Sequence, residues 1–200
     1  MIATCSGVIL AGGQSSRMGG ENKAFVEIGG VSLIQRVIDT LASLFEEVCI
    51  VSKDASIFNR LGLKVVEDIL DAQSPLSGIH AGLASISTEY AFCVGCDTPF
   101  MKKGVVEILK HAVEPEADVI VPFSGTYYQP LCAVYSKRCV PIIEDQLKKG
   151  DMKVDHLFDR LNVKTVSYDT FKQVDPDLVS FFNINASSDL RLAEKRLADS

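Results

Sequence analysis

Apolar residues recur along this chain in two rhythms. Short runs rich in Val, Ile and Cys lie at Gly7–Ala11, Val48–Ser52, Lys64–Glu67, Ala91–Gly95, Val119–Pro122, Leu131–Tyr135 and Val163–Ser167. Several are apolar at nearly every position, as expected for strands covered on both faces. Between them the apolar residues return every three or four positions. Val31–Phe45 places Leu33, Ile34, Val37, Ile38, Leu41, Leu44 and Phe45 on one side, which predicts a helix with a core-facing stripe. Ser77–Ser87, Lys103–Ala112, Lys137–Lys148 and Ser188–Ala198 read as helices in the same way, the last with Asp189 near its positive end. Strand alternating with helix predicts an α/β fold, with a mostly parallel sheet and right-handed crossovers. No internal repeat, low-complexity tract or linker interrupts the pattern, so one domain over residues 1–200 is expected.

In such sheets ligands bind outside the carboxyl ends of the strands. The residues that follow each strand are therefore the candidates for chemistry. Gly12-Gly13-Gln14-Ser15-Ser16-Arg17-Met18-Gly19 follows the first, Ser52-Lys53-Asp54 the second, Asp68 the third and Cys96-Asp97-Thr98-Pro99 the fourth. Near the end, Phe181-Phe182 leads into Asn183-Ile184-Asn185.

Composition narrows the partners. Of 200 residues, 47% are hydrophobic and 23% charged, which supports a sizeable core and excludes disorder. The net charge of −6 is relieved by no basic stripe, so a nucleic-acid partner is not expected. A few cations and a metal can still make one cleft positive for an anionic small substrate. No apolar run approaches the roughly 20 residues of a membrane-spanning helix, so no membrane partner is expected. The start, Met1-Ile-Ala-Thr-Cys-Ser6, lacks the basic region of a secretory signal. Cys93-Val-Gly-Cys96 has the spacing of a zinc or redox pair, but no second pair or nearby His completes a metal site. The six cysteines therefore read as buried, reduced thiols, and the expected location is the cytoplasm.

The loop after the first strand carries most of the chemistry. Gly12 and Gly13 let backbone N–H groups approach an oxygen-rich ligand without side-chain obstruction. Arg17 offers a planar fork and Lys23 a compact charge for phosphate oxygens. The loop is neither a Walker A loop nor Gly-x-Gly-x-x-Gly, and the same residues would also serve as a plain Gly-rich turn with solvated charges. Asp97, just past an apolar strand, supplies a hard oxygen that suits Mg²⁺ on triphosphate oxygens; it would equally cap the Lys103–Ala112 helix. Asn183 and Asn185 point the same way from an extended segment, and one amide oxygen could complete the metal shell. Pro75 suits a helix start, and Gly78 would leave room for a base or ribose. His80, His111 and His156 have no metal spacing and receive no role.

Leu10-Ala-Gly-Gly-Gln-Ser-Ser-Arg-Met-Gly19, with Lys23 after a short spacer, resembles the nucleotide-binding loop of the molybdenum cofactor guanylyltransferases. The resemblance continues at Ser74-Pro-Leu-Ser-Gly78, Cys96-Asp-Thr-Pro-Phe100, Gln129-Pro-Leu131 and Phe182-Asn-Ile-Asn185, in family order over most of the chain. It implies a three-layer Rossmann-like nucleotidyltransferase fold with a mostly parallel central sheet. It implies GTP bound by Leu10, Ala11, Gly12, Gly13, Lys23, Asp68, Pro75, Gly78 and Asp97, and Mg²⁺ on Asp97 and Asn185. Asn183 is a candidate substrate contact, and Arg17, Lys23 and Asp97 are the catalytic set. The implied reaction is transfer of GMP from GTP to the phosphate of molybdopterin or Mo-molybdopterin, with molybdoenzymes or their chaperones receiving the product. The step Ala11-Gly12 stands where cytidylyl-transferring relatives usually carry Ala-Ala, which suits the larger purine, with backbone carbonyls of Leu10–Gly13 and Ser74–Gly78 as acceptors for guanine. Two departures stand out. Ser52-Lys53 replaces an Asn carried by many members, and Asp151-Met-Lys153 gives one cation where many have a basic pair. The alternatives are a cytidylyl- or sugar-phosphate nucleotidyltransferase of the same fold and a non-catalytic GTP-binding module that delivers cofactor.

Overall fold

The computed structural model describes residues 4–12, 17–18, 21–68, 70 and 74–198, with the side chains of Arg17, Met18 and Glu21 outside that description. The strands are β1 (Cys5–Leu10), β2 (Arg17–Met18), β3 (Glu21–Asn22), β4 (Glu27–Ile28), β5 (Val31–Ser32), β6 (Val48–Ser52), β7 (Lys64–Glu67), β8 (Tyr90–Gly95), β9 (Val119–Phe123), β10 (Cys132–Ser136) and β11 (Val163–Ser167). The helices are α1 (Leu33–Ala42), α2 (Pro75–Ser85), α3 (Lys103–His111), α4 (Cys139–Lys148), α5 (Val154–Phe158), α6 (Tyr168–Phe171) and α7 (Ser187–Ala198).

Seven strands form one sheet in the order β11-β9-β10-β8-β1-β6-β7. All neighbours are parallel except those of β10, which runs antiparallel to both β8 and β9. The mostly parallel α/β fold expected from the alternation is therefore the fold found. The reversal of β10 follows from its short link to β9, since a parallel crossover needs a dozen or more residues. β6 follows β1 on one side and β8 lies against its other side, so the strand order switches direction at β1 and β8.

Residues of each strand alternate between two cores. Ile9, Ile50, Phe92, Val94, Ile120 and Val134 pack with α1 and α3 on one face. Val8, Leu10, Val51, Ala91, Cys93, Val121 and Tyr135 pack with α2, α4 and α5 on the other. Each fully buried large aliphatic side chain contributes about 1.5–3 kcal/mol, so burial on both faces makes the sheet a rigid frame. α2 rides close on β1 because it presents Gly78 and Gly82, one turn apart. A Cβ on Gly82 would lie 2.5 Å from Val8 Cγ1, and one on Gly78 would lie 3.2 Å from Leu10 Cδ2.

Among the departures from the expected boundaries, three are structurally informative. The helix expected from Val31 starts at Leu33, because Ser32 caps it by accepting from Gln35 N and Val31 pairs in the hairpin β4–β5. The turn of that hairpin is Gly29-Gly30, both at positive φ (58° and 74°), as a two-residue type I′ turn requires. α2 begins at Pro75 rather than Ser77, with Ser74 as its cap. The segment carrying Asn183 and Asn185 joins no strand, although its Ile184 N–H bonds Asp97 O at 2.9 Å.

Candidate active site

The carboxyl ends of β1 and β8 converge where the strand order switches, the place where open α/β sheets bind ligands. Cys96 N donates to Leu10 O (3.1 Å) and Ala11 N to Val51 O (2.8 Å), so the frame of the first loop is continuous with the sheet. Leu10 and Ala11 are buried; only their backbone can face a ligand, and Leu10 O already accepts from Cys96. Gly12 is exposed, and a Cβ there would meet nothing within 4 Å. Gly13 and the Arg17 side chain lie outside the described residues.

Lys23 is held by its own turn. Asn22 accepts from Ala24 N (2.9 Å), and Val26 N returns to Lys23 O (3.1 Å). Ala24 enters the core and Phe25 stacks on Phe58. The backbone is therefore anchored, and the Lys23 side chain points inward with the residue only 6% exposed. Its Nζ donates to Asp97 Oδ2 at 3.0 Å and to Asn185 Oδ1 at 2.9 Å.

Asp97 is presented by a closed turn in which Thr98 Oγ1 donates to Gly95 O at 2.7 Å. Its carboxylate faces Lys23, and α3 instead has Lys102 at its N-cap, with no side-chain cap bond. The backbone bond from Ile184 to Asp97 O brings the 183–185 segment alongside. Asp189, in the first turn of α7, accepts from Asn185 N and Ala186 N, both at 2.8 Å. These N–H donors hold its carboxyl below the usual aspartate range. Asn185, rather than the half-buried Asn183, thus delivers a side-chain oxygen to Lys23.

Three of the residues singled out from the sequence, Lys23, Asp97 and Asn185, therefore meet at one point. Asp68 stands at the same edge, with its N–H on Ser52 O and its Oδ2 accepting from Ser77 Oγ at 2.6 Å. Asp68 Oδ1 is buried without a protein partner among the described residues. Pro75 occupies the first turn of α2. The bare face of Gly78 points at Leu10 and Val51, so close packing of α2 on the sheet accounts for that glycine. Sequence reasoning missed Gly95: a Cβ there would lie 2.4 Å from Asp97 Oδ1. It also left Ser77 without a role.

The donor chemistry fits a hard cation. Asp97 and Asn185 offer two oxygens that converge on one ammonium, and such oxygens suit Mg²⁺. No group of three or more His, Cys, Asp or Glu gathers among the described residues, so further ligands would come from substrate and water, as is usual for Mg²⁺. Cys93 lies in the core on the α2 side, whereas Cys96 packs against the opposite core. Their thiols face different layers, and burial pushes Cys96 up to about 12, so the pair forms no chelate. His80 pairs with Glu144 and His156 with Asp151, and neither pair includes Lys23, Asp97 or Asn185.

The frame and the loop define the class, a nucleotidyltransferase of Rossmann-like fold. Molybdopterin-guanine dinucleotide biosynthesis protein A from Archaeoglobus fulgidus superposes with a TM-score of 0.86 at 27% identity, over 98% of this chain and 100% of that one. The profile described as MobA-like NTP transferase domain matches residues 7–165, and the chain belongs to that family. The molybdenum cofactor guanylyltransferase of Desulfosudis oleivorans is 43% identical over 189 residues, covering 94% of each chain. The protein of that name from Vibrio cholerae is 34% identical over 186 residues, covering 92% of this chain and 89% of its own. No helix among the described residues is long and apolar enough to cross a membrane.

Proposed function

We propose that the chain transfers GMP from GTP to the terminal phosphate of molybdopterin, or of Mo-molybdopterin, and releases pyrophosphate. The observation that carries this reading is the meeting of Lys23, Asp97 and Asn185 at the switch between β1 and β8. It is supported by the names that the relatives at 43% and 34% identity carry.

In this reading a phosphate oxygen of the acceptor attacks the α-phosphorus of GTP. The new P–O bond forms as the bond to the β-phosphate breaks, and pyrophosphate leaves with the electron pair. A phosphate monoester is largely ionised at neutral pH, so no residue needs to remove a proton. Catalysis reduces to positioning and charge neutralisation. Lys23 and Arg17 hold the β- and γ-phosphates and stabilise the leaving group. Asp97 and Asn185 would hold Mg²⁺, which when bound neutralises charge on the triphosphate oxygens. The backbone at Gly12 and Gly13 lies against the nucleotide, where no Cβ obstructs it. The buried free oxygen of Asp68 accepts from a donor on the nucleotide, while Ser77 holds the carboxylate from the other side. Pro75 and Gly78 set the start of α2, and Asn183 contacts the acceptor. The work is done by one domain over residues 1–200. Its six free thiols suit the reducing cytoplasm, where molybdoenzymes or their chaperones take the product.

A pyrophosphate-release screen of the four nucleoside triphosphates, each with and without molybdopterin, tests the proposal. Release with GTP and molybdopterin together is the expected result. Release with CTP instead would move the chain to the cytidylyl class. Tight GTP binding without release would make it a delivery module.

A further inference from the structure

The ammonium of Lys23 stands on the two oxygens that fit a divalent cation. Its Nζ is 3.0 Å from Asp97 Oδ2 and 2.9 Å from Asn185 Oδ1, and the residue is buried. An ion ligated by the same oxygens would sit about 2 Å from each, so ammonium and ion would compete for the same lone pairs while their like charges repel. We propose that Lys23 is the resident cation of the ligand-free site, and that ammonium and divalent ion alternate on the Asp97–Asn185 pair.

The physical argument has three parts. Without a cation, the Asp97 carboxylate, only 24% exposed, would lose its ion pair, and a largely buried charge without a partner is costly. Asn22, Val26 and the packing of Ala24 fix the Lys23 backbone, so any exchange is confined to its four-carbon stem, which is flexible. The Asn185 backbone is held independently by Asp189, so the segment that carries its amide oxygen stays in place when the ammonium leaves. The ammonium leaves only where another anion receives it, and the nucleotide phosphates are that anion. Nucleotide and divalent ion therefore bind with positive coupling, each raising the affinity of the site for the other. The nucleotide half of this scheme rests on the nucleotidyl-transfer reading above; the ligand-free half does not.

The test is electron paramagnetic resonance of Mn²⁺ titrated into the nucleotide-free protein. The unmodified chain should bind Mn²⁺ weakly. Lys23→Met, which keeps the apolar stem, should bind it at least about tenfold more tightly once the competing charge is gone. The Lys23→Met, Asp97→Asn double variant should lose that gain. Equal affinity in the unmodified chain and Lys23→Met overturns the proposal. Thermal melts check that the variant is folded. Should it unfold, the unmodified chain still decides the matter: Mn²⁺ held tightly at Asp97 without nucleotide, and released by Asp97→Asn, overturns the alternation, whereas tight binding that appears only when GTP is added, and is lost in Asp97→Asn, supports it. Since the nucleotide-free titration contains neither base nor pterin, its outcome is independent of the guanylyl assignment.

Discussion

Gly95 and Asp97 are coupled through empty space: a Cβ on Gly95 would lie 2.4 Å from Asp97 Oδ1. The carboxylate folds back over the end of β8 and occupies the volume a side chain would need. The atom in the way is the end of a short side chain that can rotate, so the clash is relieved by turning the carboxylate rather than by moving the sheet. Gly95→Ala should keep stability within about 1 kcal/mol of the parent and lower turnover about ten- to a hundredfold, because Asp97 no longer faces Lys23 and Asn185. Melting curves and steady-state rates on the same preparation check both halves.

Asp97→Asn keeps the shape and removes the charge. Turnover should fall by two orders of magnitude or more, on the order of 3 kcal/mol, with the fold intact. The loss should be steepest at limiting Mg²⁺. Unchanged rates under those conditions would remove Asp97 from the metal site.

Gly12→Ala separates base choice from folding. A Cβ there meets nothing within 4 Å and Gly12 is not among the positive-φ glycines, so the melting temperature should not change. GTP affinity should fall about tenfold, near 1.4 kcal/mol, with CTP affinity less affected, because the purine needs the space. Calorimetric titration with both nucleotides measures the difference. An unmodified chain with equal affinity for GTP and CTP would contradict the guanylyl reading.

Asp175 ties the segment ahead of Asn183 to the start of α3. Its Oδ2 accepts from Ser180 N (2.8 Å), its Oδ1 pairs with Lys102 Nζ (2.9 Å), and Ser180 Oγ accepts from Lys102 N (3.0 Å). Burial pushes the Asp175 carboxyl up, but the Ser180 hydrogen bonds and Lys102 more than offset it, holding the group below the usual aspartate range. A depressed folded-state value means that the stabilisation is present in full above the ordinary aspartate value. It is lost as pH falls below that value and through the folded one. Asp175→Asn should cost about 1–2 kcal/mol at neutral pH and flatten the loss of stability in that acid range. Denaturant midpoints measured from neutral pH down to about pH 3 test this; parallel curves for parent and variant would refute it.

Most of the sheet was legible because its central strands, buried on both faces, are apolar nearly throughout, while the more exposed edge strands still carry short β-branched runs. Val48–Ser52, Lys64–Glu67 and Val163–Ser167 have the bounds their sequence suggests, and the other strands differ by one or two residues. The short elements were not legible. α5, α6 and the two-residue ladders of β2–β3 and β4–β5 are too brief to show a period, and tertiary contacts hold α5 and α6 in place. The reversed β10 escaped notice because strand direction leaves no mark on hydrophobic pattern; only the short link from β9 hints at it.

The linear order of residues determined which groups could act. In a parallel sheet every strand ends at the same edge, so Gly12, Asp68 and Asp97 were placed together once the alternation was read. Their pairing belonged to the tertiary structure alone. Lys23 is 74 positions from Asp97 and 162 from Asn185, and no local rule relates such distances. The switch of strand order brings β1 against β8, the Ile184–Asp97 backbone bond straps the later segment to them, and Asp189 fixes the Asn185 backbone. The same packing decided that Gly78 serves the helix–sheet contact, that Gly95 makes room for a carboxylate, and that Cys93 and Cys96 face opposite cores. The direction in which a side chain or a missing Cβ points depends on what lies across from it, and that is set only when distant segments pack.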